Sequence, residues 1–201
     1  MKRILFAALL FTSSFLVPAH AARIDFDTLE QAGTDFQTFS AYEEDGYRLT
    51  ATTLFASAQQ DLSGWYAGSA GLFNNFSNEV TTLTRIDGSV FSLLSIDLAR
   101  VSTLYSGGAQ VTFHGQIHGG GSVSQSFNVG EPLAFQQFVL SGFNNLDAVT
   151  WVQESPFHQF DNINLRGNDV PEPSSLLLLA LGLAGLAARR WRAASVLPAR
   201  F

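Results

Sequence analysis

Through the middle of the chain, apolar and polar residues change places every one or two positions. These short stretches are broken by Gly, Asn, Asp and Ser. A period of two places alternate side chains on opposite faces of an extended backbone, so the stretches predict strands rather than helices. They cover residues 46–51, 80–86, 90–98, 109–117, 122–129, 135–140, 146–153 and 157–166. In 80–86, Val80, Thr82, Thr84 and Ile86 share a face, and in 90–98 Leu94, Ile96 and Leu98 do. Ile24-Asp25-Phe26-Asp27 reads as the first strand. Asp87-Gly88 has the chemistry of a hairpin turn, and His118-Gly119-Gly120-Gly121 that of a second. No stretch here carries a 3.6-residue amphipathic period. Many short strands with turn residues between them predict an all-β fold, a single antiparallel β-sandwich or jelly roll. Eighteen phenylalanines in the chain supply large side chains for two facing sheets to bury.

The two ends of the chain follow another pattern. Residues 4–17 are mostly apolar, after Met1-Lys2-Arg3 and before Ala19-His20-Ala21. This is the layout of a secretory signal peptide, residues 1–21, with the mature chain starting at Ala22. Near the other end, residues 176–188 are thirteen apolar residues with no polar stripe. With Ser174 and Ser175 they predict a single hydrophobic helix, 174–188. Thirteen residues rise ~20 Å, against ~30 Å of hydrocarbon, so the span is short and relies on arginines that snorkel. Arg189, Arg190 and Arg192 should stay cytoplasmic, which places residues 22–169 across the inner membrane. Pro171 and Pro173 keep the preceding hinge extended, and Glu172 marks the outer edge of the helix. The organisation is therefore signal peptide 1–21, β-sandwich 22–169 and tail 170–201.

The order Pro171-Glu172-Pro173, apolar run, then Arg189, Arg190 and Arg192, resembles the PEP-CTERM sorting signal. That signal belongs to Gram-negative bacteria that make extracellular polysaccharide. The resemblance implies a membrane-embedded, exosortase-type processing enzyme as partner. It also implies transient anchorage in the inner membrane, then release or attachment at the cell surface. The chain runs nine residues past Arg192, where such tails stop sooner. Arg85-Ile86-Asp87-Gly88 leading into Phe91-Ser92-Leu93-Leu94-Ser95-Ile96-Asp97-Leu98, and Phe160-Asp161-Asn162-Ile163, look like the β-rich domains found ahead of this tail. That likeness implies a fold class and a location, and no reaction.

Charge narrows the partners. Residues 22–169 hold five arginines, no lysine and sixteen carboxylates, a formal charge of −11. Nucleic acid is excluded as a partner, because phosphate contacts need a basic patch. There is no cysteine, so no disulfide, thiol nucleophile or cysteine–zinc site.

Four groups of residues could carry chemistry. Asp161 lies on the last strand; on a two-residue period it shares a face with Ile163 and Leu165. It resembles the acidic residue on the last strand of jelly-roll carbohydrate-binding modules that helps hold a structural Ca²⁺. The resemblance makes Asp27, on the first strand, its companion. The alternatives are a turn cap or a pair with Arg166 or Arg23. His114 and His118 stand four residues apart, ~13 Å along a strand, too far to share one metal there. Trp65 and Tyr66, between Gly64 and Gly68, are candidate sugar-stacking rings, whereas Trp151 alternates within a strand and reads as core. Glu79 and Glu154 are carboxylates at strand ends that nothing in the sequence pairs, and a glycosidase needs a pair. No nucleophile elbow or phosphate loop is present. The expectation is an exported, non-catalytic cell-surface or extracellular-matrix protein. The alternative is a lectin-like module for exopolysaccharide that grips through Trp65 and Tyr66.

Overall fold

The computed structural model describes residues 21–167. Residues 1–20 of the signal peptide, the helix 174–188 and the sorting residues Pro171, Glu172, Pro173, Arg189, Arg190 and Arg192 lie outside the described residues; Ala21, the expected last residue of the signal peptide, opens the first strand. Eleven strands run in chain order: β1 Ala21–Ile24, β2 Phe36–Glu44, β3 Tyr47–Ala58, β4 Phe73–Asn74, β5 Val80–Arg85, β6 Phe91–Arg100, β7 Ala109–Ile117, β8 Ser122–Val129, β9 Gln136–Val139, β10 Leu146–Val152 and β11 His158–Gly167. Among the described residues the one helical element is a 3₁₀ turn, Asp27–Leu29.

All strand pairs are antiparallel and form two layers. One is β1-β11-β6-β9. The other is β2-β3-β5-β10-β7-β8, with β4 on the edge of β3 that β5 also uses. The layers join at two corners. Leu146 of β10 pairs with Phe91 of β6. Leu72 bridges Phe160 of β11, while Phe73 and Asn74 just after it pair with β3. The result is the antiparallel β-sandwich that the alternation predicts.

Aromatic rings fill the space between the layers. Phe160 comes from one layer; Trp151 and Phe55 come from the other. Phe160 meets Trp151 edge-on at 5.0 Å and Phe55 at 6.1 Å. Phe26, Phe91, Phe113 and Phe143 are buried around them. Each such ring contributes roughly 1.5–3 kcal/mol through burial.

Several expectations shift. The first strand ends at Ile24, because Phe26 takes a left-handed φ of 56° and turns the chain into the 3₁₀ element. β2 is an additional strand whose side chains are exposed or half-buried. In β5 the inward residues are Thr81 and Leu83; Val80, Thr82 and Thr84 face outward, and Ile86 is exposed. Asp87-Gly88 does not close a hairpin. β5 pairs with β3 and β10, and β6 with β11 and β9, so this turn carries the chain from one layer to the other. Asp87 instead accepts bonds from the amide and hydroxyl of Ser89. The hairpin turn of this type is Asp45-Gly46, with φ of 48° and 80°, between β2 and β3. His118–Gly121 does join paired strands, β7 and β8.

The register of β11 on β6 breaks between Asp161 and Asn164, and again between Asn164 and Leu165. Asn162, at φ 47°, absorbs the first shift. The extra residue brings Phe160, Ile163 and Leu165 onto the core face together. Asp161 is therefore not on the Ile163 face as a plain two-residue period requires; it sits opposite Asp97.

Candidate functional site

At one end of the sandwich, two connections enclose a cavity of about 350 Å³. Tyr105 and Ser106 line it from the β6–β7 connection, and Ser155, Pro156 and Phe157 from the β10–β11 connection. Arg100, the last residue of β6, holds the first wall in place. Its Nε donates to the Ser102 carbonyl at 2.8 Å, and its other nitrogens donate to the carbonyls of Tyr105 and Glu131. The guanidinium is thus engaged within the protein.

Tyr105 is 50% exposed, and Leu104 beside it is 73% exposed. The Tyr105 ring is the outermost of a short aromatic stack. Trp65 meets it edge-on at 5.9 Å, and Trp65 in turn stacks on Phe73 at 6.0 Å and touches Phe36 at 5.1 Å. Beneath these rings lies a small second core of Ala56, Phe73 and Val101. A tyrosine fixed by packing on one side and open on the other, with Ser106 and Ser155 hydroxyls nearby, suits a ligand with both apolar faces and hydroxyl groups.

Trp65 itself is half-buried in that stack. Tyr66 turns inward, where its hydroxyl donates to Glu30 Oε1 at 2.7 Å. Burial, together with this carboxylate, pushes the phenol up to about 12. Trp65 therefore backs the cavity wall, Tyr66 is held by Glu30, and the ring on the cavity surface is Tyr105. The sequence singles out Trp65-Tyr66 because adjacent aromatics between glycines stand out. Tyr105 carries no such signal in its polar surroundings.

Asp161 is wholly buried. Its Oδ1 accepts from the Asn162 amide at 2.6 Å, and no hydrogen bond closes on Oδ2. Asn162 donates to Asp97 Oδ2 at 2.9 Å and accepts from Arg23. Burial raises Asp161 to about 7 and the charge of Asp97 adds to this, while the Ser69 hydroxyl, the Asn162 amide and Arg23 temper it. Asp27 is exposed on the 3₁₀ turn, its amide donating to Asp25 Oδ1 at 3.2 Å. Among the described residues no group of three or more His, Asp or Glu side chains is arranged to hold a metal ion.

The histidines go separate ways. His118 Nδ1 lies 2.8 Å from Asp147 Oδ1 on the surface. His158 is buried with neither ring nitrogen hydrogen-bonded, and burial lowers it to about 3. His114 lies on the outer face of β7, where it lines a second cavity of about 200 Å³ with Gln110, Thr112, Val152 and Glu154. Glu79, by contrast, is buried and accepts from the Phe76 amide at 3.1 Å.

Two residues after β11 ends, a known motif begins: residues 169–192 match the family model of the PEP-CTERM protein-sorting motif. The chain carries a PEP-CTERM sorting signal. Such a motif implies export and exosortase-mediated processing at the membrane. No curated protein matches the chain. Among solved structures it is similar to a family 29 carbohydrate-binding module complexed with mannohexaose, at 10% identity and TM-score 0.36, over 75% of this chain and 93% of that one. It is also similar to the family 32 carbohydrate-binding module of C. perfringens NanJ in complex with galactose, at 9% identity and TM-score 0.38, over 63% and 98%. An exo-beta-agarase matches at 12% identity and TM-score 0.40, over 78% of this chain and 26% of that one.

Proposed function

We propose that this is an exported, non-catalytic cell-surface or matrix protein whose sandwich binds a saccharide of the extracellular polysaccharide. The PEP-CTERM signal anchors it transiently in the inner membrane, and an exosortase-type enzyme removes that signal. The observation that carries the binding role is the Tyr105 ring, half-exposed over a cavity and held there by Trp65 and the Arg100 bonds. The non-catalytic reading is supported by the carboxylates. One carboxylate, Glu154 of the second cavity, lines the two cavities taken together, and hydrolysis of a glycosidic bond needs two. Asp161 and Glu79 are buried away from any substrate.

The exported form tests both parts. Its intact mass should lack residues 1–21 and the tail; recovery of a chain still ending at Phe201 outside the inner membrane contradicts the sorting part. On a glycan array the same protein should bind a polysaccharide fragment. Tyr105→Ala should weaken that binding ~10- to 100-fold, the loss expected for one buried ring. Undiminished binding by Tyr105→Ala would dismiss the cavity as the site.

A further inference from the structure

The two cavities are neighbours along both of their walls. Val152 and Glu154 line the second, and Ser155, Pro156 and Phe157, next in the chain, line the first. On the opposite wall, Tyr105 and Ser106 belong to the first; Gln110, Thr112 and His114, a few residues on, belong to the second. The Glu154-Ser155 peptide lies where one gives way to the other. From there the second cavity runs along β7. Gln110, Thr112 and His114 are alternate residues on its outer face and span ~13 Å at the rise of a strand.

The chemistry of this path is uniform. Gln110 donates to Asn128 on β8 at 3.3 Å, and the Thr112 and Ser126 hydroxyls lie 2.8 Å apart. Thr150 of β10 stands opposite His114 in register. Amides, hydroxyls and an imidazole can each donate and accept to a polyhydroxyl chain. Neither lining contains lysine or arginine, and its one fixed charge is Glu154. The Arg100 guanidinium near the first cavity is engaged by three carbonyls. An anionic sugar would therefore meet a carboxylate with no cation to offset it, on a domain already at −11.

We propose that the two cavities form one extended site for a neutral oligosaccharide. One sugar stacks on Tyr105, and the chain continues over Glu154-Ser155 onto Gln110, Thr112 and His114. This rests on the saccharide-binding reading above and adds the length and charge class of the ligand.

The test is titration calorimetry of the exported protein. The probes are neutral gluco-, manno- and galacto-oligosaccharides of one to six units, and oligogalacturonates of the same lengths. In the neutral series that binds, affinity should rise ~10-fold or more from two units to six as the added hydrogen bonds form. Combining Thr112→Ala with His114→Ala should abolish that rise. Tyr105→Ala should weaken every length. The uronates should bind at least ~10-fold more weakly than their neutral counterparts. Both Thr112 and His114 point out of the sheet, so melting curves of the double variant should match the parent. Affinity that ignores length, or a rise that survives in the double variant, overturns the extended site while the Tyr105 cavity stands. Uronates that bind as well as neutral chains overturn the charge class. Silence from every sugar overturns the saccharide reading and this one with it.

Discussion

Asp161 and His158 titrate against each other. Burial raises folded Asp161 to about 7 from a usual 3.8. Between those values the folded chain keeps a proton that the unfolded chain has released, so lowering the pH from 7 towards 4 stabilises the fold. Burial lowers folded His158 to about 3 from a usual 6.5. There the unfolded chain takes up a proton that the folded one refuses, so acidification from 6.5 towards 3 destabilises. From roughly pH 4 to 6.5 the two slopes cancel. Asp161→Asn keeps an oxygen for the Asn162 amide and removes the carboxylate. Urea unfolding of this variant should show stability falling on acidification below 6.5 more steeply than the parent's, by about 1.4 kcal/mol per pH unit. At pH 8 the variant should be the more stable of the two. A variant profile parallel to the parent's would show that Asp161 does not supply the opposing titration. That the last strand carries an acid at the margin of a core face is readable in Phe160-Asp161-Asn162-Ile163. Its place opposite Asp97, 64 positions away, is not, because that depends on the bulge at Asn162.

The same limit appears at the level of elements, where two Asp-Gly turns behave differently. Both carry the dipeptide that favours a tight turn. Only at Asp45-Gly46 do both residues take positive φ and the flanking strands pair. At Asp87-Gly88 the flanking strands have better partners elsewhere; the Gly88 amide donates to the Arg85 carbonyl at 3.2 Å, and the aspartate side chain accepts from Ser89. Local chemistry predicts the presence of each turn, while strand pairing, a long-range matter, decides its type. β2 goes unread for a related reason. Its outer position leaves Phe39 and Tyr42 half-buried, so its apolar alternation is weak. The contrast makes a prediction. Gly46 sits at φ 80° with nothing within 4 Å of an added Cβ. Gly46→Ala should therefore cost about 1–2 kcal/mol from backbone conformation alone, with no steric clash. Chemical denaturation with an unchanged m-value would register it; a loss below about 0.5 kcal/mol would mean that the turn can adopt another type.

Across the whole molecule, alternation foretold a sandwich, and the tail foretold the sorting motif at 169–192. What alternation could not convey is that the first and last strands lie side by side. β1 pairs with β11 from Ala21 opposite Arg166 to Ile24 opposite Ile163. The described domain thus begins and ends at one place, and its last strand residue, Gly167, precedes the sorting motif. Processing at either end should leave the core intact. A chain of residues 22–168 should melt within about 2 °C of the unprocessed protein, a difference under ~1 kcal/mol for a domain of this size. Removing seven residues more, to give 22–161, should have the opposite effect. It takes away Ile163 and Leu165, both fully buried, and the strand on which β1 and its buried Ile24 depend. Three aliphatic side chains at roughly 1.5–3 kcal/mol each approach the whole stability of a small domain, ~5–15 kcal/mol. Near-ultraviolet circular dichroism should show native aromatic packing in the longer chain and none in the shorter. If 22–168 also lost that signal, the sandwich would depend on its tail, and removing the tail after export would unfold the cargo it delivers.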